Sequence, residues 1–157
     1  MDDVENGLLA FLAADQDIKD LIQTPPDPVR FFPNAAPQRV PPTDLHVVYY
    51  KDDTAELDAL AMGPCGLPVA VIVLECRQQS ASPKQATLLA RRIRRSKGHD
   101  PNGRKLDGFA GTWPGGYVVQ KAKVRGPRHE YVRPVKAGEL GTHVVVLEVT
   151  VAFNNLL

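Results

Sequence analysis

The sequence predicts an α+β domain: a mainly antiparallel sheet of about four strands, two helices packed on one face, and long loops. Three observations carry this. The segment Leu67 to Gln79 is apolar at consecutive positions up to Glu75, the pattern of a central strand covered on both sides. Two other segments, Val4 to Ile22 and the stretch after Ser82, repeat apolar residues at helical spacing. The elements follow the order helix, strand, strand, helix, strand, strand, which leaves two long crossings to hold helices against one sheet face.

Helix one is expected over Val4 to Ile22, with Val4, Leu8, Phe11, Leu12, Ile18, Leu21 and Ile22 in its apolar stripe. Asp2, Asp3 and Glu5 suit the positive end of its dipole, and Asp15 and Asp17 leave open a break into two short helices. Pro25 and Pro26 end it. Seven prolines punctuate 24–43, which reads as a proline-rich arm with one short extended piece, Val29 to Phe32, at a sheet edge. Leu45 to Lys51 is β-branched and aromatic, hence a strand. Asp52 to Gly66 follows as a long connection. In the strand from Leu67, Val69, Val71 and Val73 point one way, and Ala70, Ile72, Leu74 and Cys76 the other. A helix is expected over one side, and something else, such as a neighbouring subunit, over the other. Ser82-Pro83 opens helix two, with serine as cap and proline at the first helical position. Ala86, Leu89, Ala90 and Ile93 form its buried stripe. Gly98 to Gly103 is a turn-rich insertion. A corner follows, Leu106, Asp107, Gly108, Phe109, Gly111 and Trp113, in which glycines permit the bend and aromatics anchor it. Tyr117 to Val124 alternates as a strand, Arg125 to Gly141 reads as a basic, turn-containing arm, and Thr142 to Asn154 closes the chain as a long valine-rich strand.

With 157 residues, 43% of them hydrophobic, 24% charged and a formal net charge of +1, the chain fits one domain spanning 1–157. That balance does not suggest a chain that holds nucleic acid by bulk charge. The acidic N-terminus lacks the basic flank of a signal peptide, and the longest apolar run is far shorter than the roughly 20 residues of a membrane helix. Cys65 and Cys76 read as two reduced thiols of a protein folded in a cytoplasm, with a disulfide left open.

The chemistry-bearing residues point to no catalytic or metal site and to no cofactor. His46, His99, His129 and His143 fall in separate segments without ligand spacing, and read as surface or strand-edge residues. Cys65 lies in a turn-like Gly63-Pro64-Cys65-Gly66 that could expose a thiol, but no neighbouring base is evident; a cysteine hydrolase is a distant option. Asp52, Asp53, Glu56 and Asp58 read as solvated loop. One signal has weight: Arg91, Arg92, Arg94, Arg95, Lys97, Arg104 and Lys105 lie within fifteen positions, leaving the rest of the chain net acidic. Such a cluster can face DNA, meet an acidic neighbouring subunit, or be hydrated. At 100° per residue, its arginines cannot share one narrow face.

These parts, in their order, resemble the tail-completion, or tail-to-head joining, proteins of long-tailed bacteriophages and prophages, which are close in fold to lambda-type tail terminators. The resemblance rests on a first helix ending in Leu21-Ile22, the strand Val47-Val48-Tyr49-Tyr50, and the Gly63-Pro64-Cys65-Gly66 turn before a long strand. A helix with Ala86, Leu88, Leu89, Ala90 and Ile93, the Leu106-Asp107-Gly108-Phe109-x-Gly111-Thr112 turn, and a closing valine-rich strand complete it. It covers nearly the whole chain. Two departures are a basic insertion over 94–105 and the length and proline content of the arm at 24–43. The resemblance implies a non-enzymatic virion component that completes the tail and joins it to the head connector. Six copies would form a ring at the head-proximal end of the tail tube. Its partners would be itself, the tail tube protein, a head-completion or connector protein, and double-stranded DNA passing through the lumen, with no membrane. It would reside at the head-tail interface of the virion and in the host cytoplasm during assembly. Loops 52–62 and 125–140 would contact tube or connector. The rival reading is a small nucleic-acid-binding α+β module that uses the basic face of helix two.

Overall fold

The computed structural model describes residues 4–52 and 69–155. Helix α1 spans Val4–Ala13, and its buried Val4, Leu8, Phe11 and Leu12 recur at the period of one helix face. It stops because Asp15 has an extended backbone, and its carboxylate accepts the Asp17 N–H at 2.9 Å, capping a separate helix α2, Gln16–Ile22. The expected single helix over Val4 to Ile22 is therefore two, divided at an aspartate that the sequence marks as a possible break.

The proline-rich segment is held by one side chain. Arg30 donates from Nε to the Leu45 carbonyl at 2.8 Å, from Nη1 to Thr24 Oγ1 at 3.0 Å, and from Nη2 to the Leu21 carbonyl at 3.3 Å. This brings the short strand β1, Phe31–Pro33, alongside β2, His46–Lys51, in parallel register. Pro33 is tolerated there because β1 is an edge strand.

β3 spans Val69–Gln79 and pairs antiparallel with both β2 and β6, Thr142–Asn155. Helix α3, Lys84–Arg94, follows β3; its cap position is Pro83, one residue later than Ser82, although the Lys84 N–H still donates to Ser82 Oγ at 3.2 Å. Two further strands complete the sheet: β4, Gly111–Trp113, and β5, Tyr117–Val132. The first half of the expected arm, Arg125 to Val132, is thus strand, and only 133–141 is turn. β5 continues to Val132, paired with β6 and interrupted by register shifts at Val119/Lys121 and Arg125/Arg128. At the second shift Gly126 has φ +103° and lies so close to β6 that a Cβ would meet the Val146 carbonyl at 2.7 Å.

The architecture corrects the expected one. Among the described residues the sheet has six strands, not about four; it is mixed, with β1 parallel to β2; and it is accompanied by three short helices, not two. Its order is β1-β2-β3-β6-β5-β4, and it curls into a half-barrel. The short extended piece expected at a sheet edge is β1, placed at Phe31–Pro33 instead of Val29 to Phe32; the strand not anticipated is β4, three residues long, too short to show a period, and opened by a glycine of the kind that marks loops.

One core fills the space between the helices and the sheet. It joins Leu8, Phe11 and Leu12 of α1, Ile18 and Ile22 of α2, and Leu89 and Ile93 of α3 to Ile72 and Leu74 of β3 and to Val145, Leu147, Val149, Val151 and Phe153 of β6. Burying each such side chain is worth about 1.5–3 kcal/mol. The opposite side of β3 is also covered within the single chain: Val69, Val71 and Val73 are buried, and Val73 packs with Val144 and Val146. A neighbouring subunit over that side is not needed to explain its apolar residues. Cys76 is a free, buried thiol, and burial pushes its ionisation far above the ordinary thiol range. Cys65, Asp53, Glu56 and Asp58 lie outside the described residues, as does nearly all of the expected contact loop at 52–62.

Candidate functional site

The basic cluster and the glycine-aromatic corner turn out to be one neighbourhood. The buried stripe of α3, Ala86, Leu89, Ala90 and Ile93, sets its face toward the sheet, so the arginines between these positions fan out around the solvent side. Three of the seven basic residues are used internally. Arg92 donates from Nη1 to the Asp17 carbonyl at 3.0 Å, which ties α3 to α2. Arg94 grips Asp107 Oδ2 through Nε and Nη2, each at 3.1 Å, and donates from Nη1 to the Gly126 carbonyl at the β5 bulge. Arg104 forks onto Asp100, with Nε at 3.0 Å from Oδ2 and Nη2 at 3.0 Å from Oδ1, donates to the Ala110 carbonyl, and lies 5.2 Å from the centre of the Phe109 ring. Hydrogen bonding from the Arg104 side chain holds the Asp100 carboxyl below its ordinary range.

Arg91, Arg95, Lys97 and Lys105 are different. They are exposed, and among the described residues their side chains have no hydrogen bond or ion pair. Arg91, Arg95 and Lys105 line one cleft of ≈ 380 Å³ together with Arg94, Asp107 and Pro127. Arg91 and Arg95, one helical turn apart, also border a second depression beside Asp15, Asp17 and Leu88. The single carboxylate in the first cleft, Asp107, is already bound to Arg94. Three uncommitted cations around it can attract phosphate or carboxylate groups, with a salt-sensitive affinity. Lys97 is not among the residues lining either cleft.

The corner closes the edge of β5. Asp107 Oδ1 accepts the Val124 N–H at 3.1 Å, the Gly108 N–H donates to the Ala122 carbonyl at 2.8 Å, and the Ala122 N–H donates to the Phe109 carbonyl at 2.9 Å. Gly108 has φ +88°, a conformation that favours glycine. Leu106, Phe109 and Trp113 are buried, and Phe109 and Trp113 pack against each other and against Phe11 with ring centres 5.2–6.1 Å apart.

Sequence spacing misses two histidine environments. His46 is buried, not at the surface; its Nδ1–H donates to the Asp44 carbonyl at 2.8 Å, and desolvation lowers its pKa. His143 is buried too, stacked on His129 with Nδ1 2.9 Å from His129 Nε2. Reading 125–141 as a hairpin would have placed those two on facing strands. Among the described residues, no group of three or more His, Cys, Asp or Glu is placed to hold a metal ion, and no helix is long and apolar enough to cross a membrane.

No protein-family model and no curated protein matches this chain. A solved structure does. A chain in the structure described as "Virion of native gene transfer agent (GTA) particle" superposes with a TM-score of 0.54 at 17% identity, covering 92% of this chain and 91% of that one. At that identity the likeness speaks for the fold.

Proposed function

We propose that this chain is a structural, non-enzymatic component of a phage or phage-derived virion. Copies of it form a homo-hexameric ring at the head-proximal end of the tail tube, complete the tail and join it to the head connector. The observation that carries the reading is the shared fold with a virion chain over nearly the full length of both proteins. It agrees with the independent resemblance to tail-completion proteins carried by the order of sequence motifs. Contacts between unlike surfaces that close by rotation build such a ring. Double-stranded DNA passes through its lumen without being read for sequence, and the chain reaches its place from the host cytoplasm.

Within that reading the uncommitted cations Arg91, Arg95 and Lys105 meet an anionic partner, either DNA phosphates or an acidic surface of a neighbouring protein. The same convergence favours the second reading, a small nucleic-acid-binding module acting through α3. Electron microscopy of particles made without this chain separates the two. Tails of uncontrolled length, or loose tails beside full heads, are expected; normal virions would end the joining role.

A further inference from the structure

The described residues contain six exposed large hydrophobic side chains, and four of them lie within ten positions: Tyr131 (53% exposed), Val132 (50%), Val135 (100%) and Leu140 (50%). They sit at the end of the β5–β6 hairpin. β4 pairs with β5 only at Tyr117–Val119, and the corner covers the edge as far as Val124. Beyond the bulge, Arg128–Val132 pairs with β6 alone among the described residues. The hairpin end is therefore an arm with an open strand edge and a concentrated apolar tip, a combination that native proteins usually blunt unless something binds there. Arg133, Lys136 and Glu139 are all exposed around that tip.

At the β1 edge of the sheet lies a groove of ≈ 330 Å³ between the proline-rich arm and β1. Phe32, Val40 and Pro28 give it apolar walls, and Asp27, Asp44 and Arg39 are its charges without a side-chain hydrogen bond or ion pair among the described residues. The fourth charged residue, Arg30, is committed to three oxygen acceptors. The tip thus carries two cations and one anion around an apolar centre. The groove carries two anions and one cation around another.

We infer that the β5–β6 hairpin tip of one copy docks into the proline-arm groove of the next, with Val135 and Leu140 against Phe32 and Val40, Arg133 and Lys136 facing Asp27 and Asp44, and Glu139 facing Arg39. The two are different surfaces, at the end of the sheet where Gln79 donates to both the Pro42 and the Leu140 carbonyls, so the contact is heterologous: each copy offers both a tip and a groove. The inference rests on the reading that copies of this chain assemble with one another, not on which particle holds them. It assigns residues 131–140 to a second copy, where the resemblance implies that 125–140 contacts the tail tube or connector.

The test is a photo-cross-link from benzoylphenylalanine at position 135. Isotopically mixed full-length chain is used at high concentration, and cross-linked peptides are mapped by mass spectrometry. A link to residues 24–44 of a second copy is expected. Arg133→Glu with Lys136→Glu should lower its yield at least tenfold, and mixing that variant with an Asp27→Lys, Asp44→Lys chain should restore it. Links confined to the same chain, links to another region of a second copy, or no link at all would overturn the inference. Repeating the cross-link in purified particles separates its failure from that of the functional reading. A link from position 135 to a different virion protein removes the tip-to-groove contact and leaves the virion role standing. Absence of the chain from particles removes the virion role, while the solution cross-link still decides the contact.

Discussion

The α3 corner and the β5–β6 hairpin tip are built from similar side chains and use them in opposite ways. In the corner, Phe109 and Trp113 are buried against Phe11, and the guanidinium groups of Arg94 and Arg104 are bound to Asp107, Asp100 and backbone carbonyls. At the tip, Tyr131, Val132, Val135 and Leu140 are exposed, and Arg133 and Lys136 surround them with no ion pair among the described residues. Side chains whose valencies are met inside the chain stabilise the subunit. Apolar and charged groups left unmet at the surface add little to the lone chain, and their use lies in contacts with other molecules. The division runs even within the seven-residue basic cluster, where three members brace the fold and four do not.

The largest expected effect is in the corner. Trp113→Ala removes a fully buried ring from the packed trio with Phe11 and Phe109, and should destabilise the chain by about 3–5 kcal/mol in urea unfolding. A destabilisation below about 1 kcal/mol would mean that this aromatic trio does not anchor the edge of the sheet.

A smaller effect should divide the arginines. Arg94→Ala leaves the Asp107 carboxylate and the Gly126 carbonyl without their shared donor, and should cost about 1–3 kcal/mol. Arg91→Ala with Arg95→Ala should change stability by no more than about 0.5 kcal/mol. It should instead lower the salt dependence of any DNA binding, by about one unit of slope for each phosphate that is no longer neutralised. Equal destabilisation of the two variants would erase the distinction between bracing and uncommitted cations.

Much of the corner is legible in the sequence. The glycines and aromatics of 106–113 mark a rigid bend, and the buried stripe of α3 follows its apolar spacing. The pairing of Arg94 with Asp107 is not legible, because the two meet only through the turn at 98–103. Strand count fails where a strand is too short to display alternation, at Gly111–Trp113, whereas the equally short Phe31–Pro33 is foreshadowed by the extended piece expected at the sheet edge. The tip is hidden for a related reason. Gly126 and Pro127 interrupt the alternation of β5, so its second half reads as loop, and nothing in the spacing shows that His129 faces His143. Whether a residue is committed or free depends on tertiary partners, and one-dimensional spacing does not contain that.

The most direct test of this division of labour replaces the tip's apolar residues with charge, Val135→Asp with Leu140→Asp, and reads two quantities on the same variant: the urea midpoint of the purified chain and its incorporation into particles. The expected result is a midpoint equal to that of the native chain together with loss from particles. A variant that incorporates normally, or one that unfolds at markedly lower urea, would contradict the account.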